Sequence, residues 1–201
     1  MVLKAVAFDA FGTLVHIGKR RAPFRKLMRW AQEQGHAPQD GAAEVVMARA
    51  LDLRAVATEL GVIPPAELLE QWEHEIEEEL SSIRLYPDSL DVVYRLQQSG
   101  YRVGLCSNLA LPYGAPVRAL LPMLDAYAMS YEAGAVKPQP RIYQFLLEQL
   151  GCEADEVLFV GDTAAADVEG PRACGMQAVL LKRASGQTLA DVMPADMRVG
   201  G

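Results

Sequence analysis

The amino-terminal stretch Leu3-Lys4-Ala5-Val6-Ala7-Phe8-Asp9-Ala10-Phe11-Gly12-Thr13-Leu14 runs apolar for the length of a strand, stops on a carboxylate and turns at a glycine. A run that is apolar throughout, rather than at alternate positions, belongs to a strand covered on both faces, as in a parallel sheet. Four more such runs follow, at 102–107, 126–130, 157–160 and 177–181. Helical patterns lie between them: 89–98 closes on Ser99-Gly100, 141–150 on Gly151 and 164–174 on Gly175. Glycine just past the last periodic residue is a helix stop. Strands alternating with helices predict right-handed βαβ units in an open, doubly wound α/β sheet.

One region breaks the alternation. Between the first strand and Tyr86-Pro87 the chain shows helical periodicity without a strand, read as three helices over 22–34, 42–60 and 66–80. Gly35-His36-Ala37-Pro38 and Gly61-Val62-Ile63-Pro64-Pro65 separate them. An insert directly after the first strand lies over the sheet's carboxyl edge, where open α/β sheets bind ligands. It is therefore read as a cap over an active site. Its charges are uneven: Lys19, Arg20, Arg21, Arg25, Lys26 and Arg29 crowd its start. Glu67, Glu70, Glu73, Glu75, Glu77, Glu78 and Glu79 crowd its last helix. The acidic run reads as solvated surface. The basic run reads either as surface or as a recognition site for an anionic substrate. The tail, 184–201, is expected to be an irregular surface segment.

At 201 residues the chain is long enough for one buried core and a small second module. Its 51% hydrophobic and 22% charged content is that of a globular protein. With 19 basic against 26 acidic residues, a net charge of −7 argues against binding along a nucleic-acid backbone. No apolar stretch reaches membrane-spanning length and no signal peptide opens the chain, so no membrane partner is expected. Cys106, Cys152 and Cys174 form no CxxC pair and are odd in number. They are expected to be reduced, in a cytoplasmic protein. A monomer or homodimer is anticipated.

Four blocks carry chemistry, each just beyond a predicted strand. Asp9, after the first, is placed to be a nucleophile; it is equally a common turn or capping residue. Ser107 and Asn108, after the second, offer a hydroxyl and an amide to an oxyanion, or serve as turn residues. Lys137 precedes Pro138, which biases it toward extended geometry. In Gly161-Asp162-Thr163-Ala164-Ala165-Ala166-Asp167, two carboxylates five positions apart suit a hard cation such as Mg²⁺, or cap a helix.

Asp, then Ser, then Lys, then an Asp pair, each at a successive strand end, resembles the haloacid dehalogenase (HAD) superfamily. The resemblance spans about 3–181, with a helical cap placed as in its C1-capped members. It implies a HAD-type Rossmann-like core, 1–14 and 84–201, with strand order 3-2-1-4-5 and a cap over 15–83. It implies that Asp9 attacks an electrophile to give an aspartyl ester that water hydrolyses. Ser107 and Lys137 then hold the transferring group and Thr13 supports the nucleophile's loop. Mg²⁺ is assigned to Asp9, the Phe11 carbonyl, Asp162 and Asp167. A small anionic substrate is assigned to Phe11, Asn108, Arg20, Arg21, Arg25 and Tyr143.

Two departures pull the subclass in opposite directions. Phosphatases of the superfamily carry a second Asp two residues after the nucleophile, as general acid and base; here that residue is Phe11. Asp-Ala-Phe-Gly-Thr is similar to the L-2-haloacid dehalogenase branch, whose halide leaves without a proton. Lys137-Pro138-Gln139-Pro140-Arg141-Ile142-Tyr143 is similar to that branch as well, which places a Tyr near the site. Against this, Gly161-Asp162 with Asp167 resembles the metal block of the phosphatases. Without a cation, Asp162 repels both Asp9 and an anionic haloacid. The leading reading is a Mg²⁺-dependent hydrolase of a small phosphorylated compound that lacks the usual general acid. The alternatives are a metal-independent L-2-haloacid dehalogenase, with its halide near one of Arg20, Arg21, Arg25 and Arg49, and a catalytically weak phospho-ligand binder. Lys19 and Lys26 lie too early in the cap to favour the Schiff-base, phosphonate-cleaving branch.

Overall fold

The computed structural model describes residues 2–36, 42–194 and 197. Residues 37–41, inside the expected cap and including Ala37-Pro38 of its first break, lie outside the described residues, as do 1, 195–196 and 198–201. The chain runs β1 (Ala5–Phe8), β2 (Val15–Ile17), α1 (Pro23–Glu33), α2 (Ala42–Ala48), α3 (Leu53–Glu59), α4 (Ala66–Ser81) and β3 (Ile83–Leu85). It continues through α5 (Ser89–Gln98), β4 (Arg102–Ser107), α6 (Leu111–Leu120), β5 (Ala126–Met129), α7 (Ser130–Ala133) and α8 (Pro140–Leu150). Next come β6 (Val157–Gly161), a π-helical turn over Ala164–Glu169, α9 (Gly170–Ala173), β7 (Gln177–Leu180) and α10 (Leu189–Val192).

Five parallel strands form one sheet in the order β5-β4-β1-β6-β7. Numbering these five alone gives 3-2-1-4-5; the labels run higher because β2 and β3 pair antiparallel as a separate ribbon. Each ribbon strand has only three residues, too few for a periodic signature. β1 is central: Ala5 pairs with Arg102 on one side and Val157 on the other.

Strand side chains alternate between faces. Val6 and Phe8 join Val103, Leu105, Leu158 and Val160 in one core layer. Ala5 and Ala7 join Cys106, Val157 and Phe159 in the other. α8 covers this second layer with Ile142, Leu146 and Leu150, four residues apart and fully buried. Burying each is worth about 1.5–3 kcal/mol.

The helices after β2 bury a third cluster, with Leu27, Val56, Leu69, Trp72 and Ile76. Trp30 meets Trp72 edge-on at 6.4 Å. The helix expected over 42–60 is broken, because Asp52 starts a new one by accepting the Ala55 N–H at 2.8 Å. The acidic run of α4 is not uniform surface: Glu75 and Glu79 are buried. Positions 72, 75, 76 and 79 share one face of a 3.6-residue helix. Lys26 Nζ lies 2.7 Å from both Glu75 oxygens, answering one of the charges.

Three further expectations are corrected. α6 has no counterpart in the sequence reading, since Pro112, Gly114 and Pro116 mask its periodicity. The helix expected over 164–174 divides into the π turn and α9, which begins at Gly170-Pro171. The tail is not a loose surface segment, because Leu189, Met193 and Met197 are buried in the first core layer.

Candidate active site

Four segments converge at the carboxyl edge of the sheet. Asp9 follows β1 and its N–H donates to Val160 O at 2.9 Å, which fixes it beside β6. Ser107 ends β4 and its hydroxyl donates to Asp9 Oδ1 at 3.1 Å. Lys137 reaches in from the loop before α8. Its ammonium donates to Asp9 Oδ1 and to Asp167 Oδ1, both at 2.6 Å. Burial opposes charge on Lys137, but Asp9 and Asp167 outweigh it and hold its pKa above the ordinary value. Burial pushes the Asp9 carboxyl up; Lys137 draws it back and Asp167 adds to the rise.

Asp162 and Asp167 flank this pair from the segment after β6. Asp167 Oδ2 accepts the Thr163 N–H at 2.8 Å, so each of its oxygens has a donor. Two glycines permit the approach. A Cβ at Gly161 would lie 2.4 Å from Asp167 Cγ, and one at Gly12, with φ of 87°, 2.0 Å from Asp162 Oδ2. Asp9, Asp162 and Asp167 each offer an oxygen, all within 4.8 Å of one another. Three carboxylates face one ammonium, an excess of negative charge that a bound cation would balance. Oxygen-only donors of this kind fit Mg²⁺. With Asp167 committed to Lys137 and Thr163, Asp9 and Asp162 are the residues left to touch it.

The supporting residues divide into expected and unexpected. Asn108 does not face open space with its amide: Oδ1 accepts the Lys137 N–H at 2.7 Å and Nδ2 donates to Lys137 O at 2.9 Å. It thus fixes the lysine's backbone. Thr13 is fully buried and its hydroxyl has no partner among the described residues. Its carbonyl accepts Arg183 Nη2 at 2.8 Å. Arg183 also makes a two-pronged pair with Asp88, both contacts 2.8 Å, and stacks 4.3 Å over Tyr86. Asp88 Oδ2 in turn accepts the Leu189 N–H. This link between the nucleophile's loop and the segment after β7 was absent from the sequence reading; no local motif marks it. Tyr143, expected at the substrate, is instead fully buried beneath the site. Its hydroxyl donates to the Ala166 carbonyl and its ring meets Phe159 edge-on at 6.0 Å, so it supports the π turn that carries Asp167.

Beside these residues lies a cavity of about 320 Å³, between the sheet edge and the helices after β2. Phe11, two residues after Asp9, and Asn108, next to Ser107, line it together with Phe24, Met28 and Tyr113. Phe11 meets Tyr113 edge-on at 6.1 Å. Arg20 and Arg25 also line it, and among the described residues neither pairs with a carboxylate. Arg21 does not reach the cavity; its Nε donates to Glu78 at 2.9 Å. Arg49 pairs with Glu59. Glu79 was missed: it lines the cavity and accepts from the Tyr113 hydroxyl and from the N–H groups of Arg21 and Ala22. Its helical phase, three and four residues from Ile76 and Glu75, was the available signal.

The model of the haloacid dehalogenase-like hydrolases matches residues 3–175. The chain belongs to this family. HAD relatives span both chemistries. A phosphoglycolate phosphatase from Rhodospirillum rubrum is 35% identical over 199 residues, 89% of this chain and 79% of the relative. A phosphatase from Mycobacterium tuberculosis is 38% identical over 107 residues, 51% of this chain, which spans 48% of that relative's length. The solved L-2-haloacid dehalogenase from Xanthobacter autotrophicus is 26% identical, with a TM-score of 0.60, covering 90% of this chain and 78% of that one. This HAD chain is an enzyme, a hydrolase, and carries an Asp cluster at its sheet edge. No helix among the described residues is long and apolar enough to cross a membrane.

Proposed function

We propose that the chain is a Mg²⁺-dependent phosphohydrolase acting on small phosphorylated compounds with stable leaving groups. The observation that carries this reading is the three-carboxylate cluster, because Asp162 has no use in a metal-free haloacid site and repels its anionic substrate. In this reading Asp9, Asp162 and the Phe11 carbonyl would hold Mg²⁺, which would offset phosphoryl charge. One oxygen of the Asp9 carboxylate attacks phosphorus. The phosphorus–oxygen bond to the leaving group breaks, and that oxygen departs with the electron pair. Lys137 and Ser107 steady charge on the transferring group. Water then attacks phosphorus, the bond to Asp9 breaks and inorganic phosphate leaves. The free state of Cys106, Cys152 and Cys174 supports a reducing, cytoplasmic setting.

Phe11 gives the reading its sharpest consequence. A positioned general acid contributes about 10²–10⁴-fold. Without one, aryl and acyl phosphates turn over while alkyl phosphates lag by that order. The same group would have activated water for the second step, so phosphorylated Asp9 accumulates and is trappable. Phe11→Asp speeds alkyl-phosphate release and flattens the dependence on leaving-group acidity. Alkyl phosphates that prove good substrates of the unaltered protein would show that another residue supplies the proton.

Metal is tested separately. Millimolar Mg²⁺ raises Tm, since only the folded chain assembles the site, and it does so less in Asp162→Ala. The dehalogenase reading, which the Xanthobacter likeness favours, predicts halide release from 2-chloropropionate in EDTA and no Tm response to Mg²⁺. Mg²⁺ and phosphate-ester binding without turnover of any ester would leave the phospho-ligand binder.

A further inference from the structure

Resting on the phosphohydrolase reading, we infer that the preferred substrate is an aromatic phosphate monoester carrying a second anionic group, held by Arg20 and Arg25. Three features of the cavity meet in this class of compound. Phe11, two residues beyond Asp9, lines it, so the position where the phosphatases carry their general acid presents a ring with no acidic proton. A leaving group that departs unprotonated is one whose negative charge is already stable, as in a phenolate. Phe24, Met28 and Tyr113 also line it, an apolar lining that favours a flat ring over a sugar or a polyol. The volume, about 320 Å³, is at the small end for ligand sites and suits one ring rather than a nucleoside.

The charge at the cavity's cap side is the third feature. Arg20 and Arg25 are exposed guanidinium groups that line the cavity without a carboxylate partner among the described residues. They do not lie there on a loose segment. Ala22, between them, has φ of 55°, a left-handed backbone that a non-glycine residue adopts only when held. Buried Glu79 holds it, accepting the N–H of Ala22 at 2.6 Å and that of Arg21 beside it. Glu79 thereby caps the amino end of α1, whose own capping residue offers no side-chain oxygen. These two N–H groups and the Tyr113 hydroxyl occupy the Glu79 carboxylate, and the two guanidinium groups lining the same cavity outnumber its single charge.

The test compares 4-carboxyphenyl phosphate with 4-carbamoylphenyl phosphate, matched in shape and differing in charge, and adds acetyl phosphate as a small acyl control. Phosphate release is measured with Mg²⁺ in the unaltered protein and in an Arg20→Gln/Arg25→Gln variant, whose exposed positions leave the core intact. The carboxylate compound is expected to lead by about tenfold or more in kcat/KM, chiefly through KM, the worth of one charged hydrogen bond. In the double variant the ratio of the two falls to about one. Equal kcat/KM for the pair in the unaltered protein, or a preference that survives in the double variant, overturns the assignment. Turnover of acetyl phosphate with both aryl compounds inert overturns it too. Failure to release phosphate from any of the three compounds overturns the phosphohydrolase reading itself.

Discussion

Asp9→Asn abolishes turnover, lowering kcat by at least about 10³-fold, while Tm stays within a few degrees of the unaltered protein. The loss follows from chemistry: a neutral amide cannot form the ester bond to phosphorus on which hydrolysis depends. The retained stability follows from the packing. Asp9 and Asp167 share one ammonium, Lys137, each at 2.6 Å, with Asp162 close by. Removing the charge at position 9 leaves Lys137 paired with Asp167 and thins a crowded set of carboxylates. The amide keeps an oxygen for Ser107 and the same shape in a buried place. Phosphate release and a thermal melt on one preparation check both halves. Substantial remaining activity would end the case for a covalent role of Asp9.

Lys137→Met has the second large effect, and it falls on stability as well as rate. The ammonium lies between two carboxylates in a site where Asp167 is 1% and Lys137 5% exposed. Methionine fills the space and removes the one cation that, among the described residues, pairs with Asp9 and Asp167. Taking one partner from a buried charge set costs about 3–5 kcal/mol, which in a chain of this size lowers Tm by roughly 10 °C. Part of the loss returns at low pH, where proton uptake by Asp9, whose pKa burial already raises, relieves the site. Part returns with Mg²⁺ for the same reason. A melt of Lys137→Met unchanged from the unaltered protein at neutral pH would mean that Asp167 and Asp9 are not both ionised in the fold.

The sheet was legible because its strands announce themselves twice. Each is largely apolar, and three of the five end on a residue with chemistry: Asp9, Ser107 and Asp162 all stand at or just past a strand's end. The convergence of Lys137 was legible only through the resemblance, since a lysine before a proline is ordinarily a loop residue. What escaped the sequence was set by contacts distant along the chain. The burial of Glu79 depends on donors from the backbone before α1 and from Tyr113 on α6. The pairing of Arg183 with Thr13 crosses 170 residues. Tyr143 erred in the other direction: a correct match of position suggested a substrate contact, whereas burial under the π turn gives it a supporting task. The acidic stretch of α4 shows the hazard of reading charge by composition, because its helical phase already turned two of those glutamates inward.

The anchoring of the nucleophile's loop by Arg183 has a bearing on the protein's birth. The loop with Asp9 and Thr13 leaves the ribosome before the pairing strands β4 and β6. Arg183 emerges later still, after the last strand of the sheet, and with it the guanidinium that grips the Thr13 carbonyl and Asp88. A nascent chain halted before this point holds every residue of the chemistry and lacks the clasp on its loop. The loop that carries the nucleophile thus gains its Arg183 anchor only after the whole sheet has been translated.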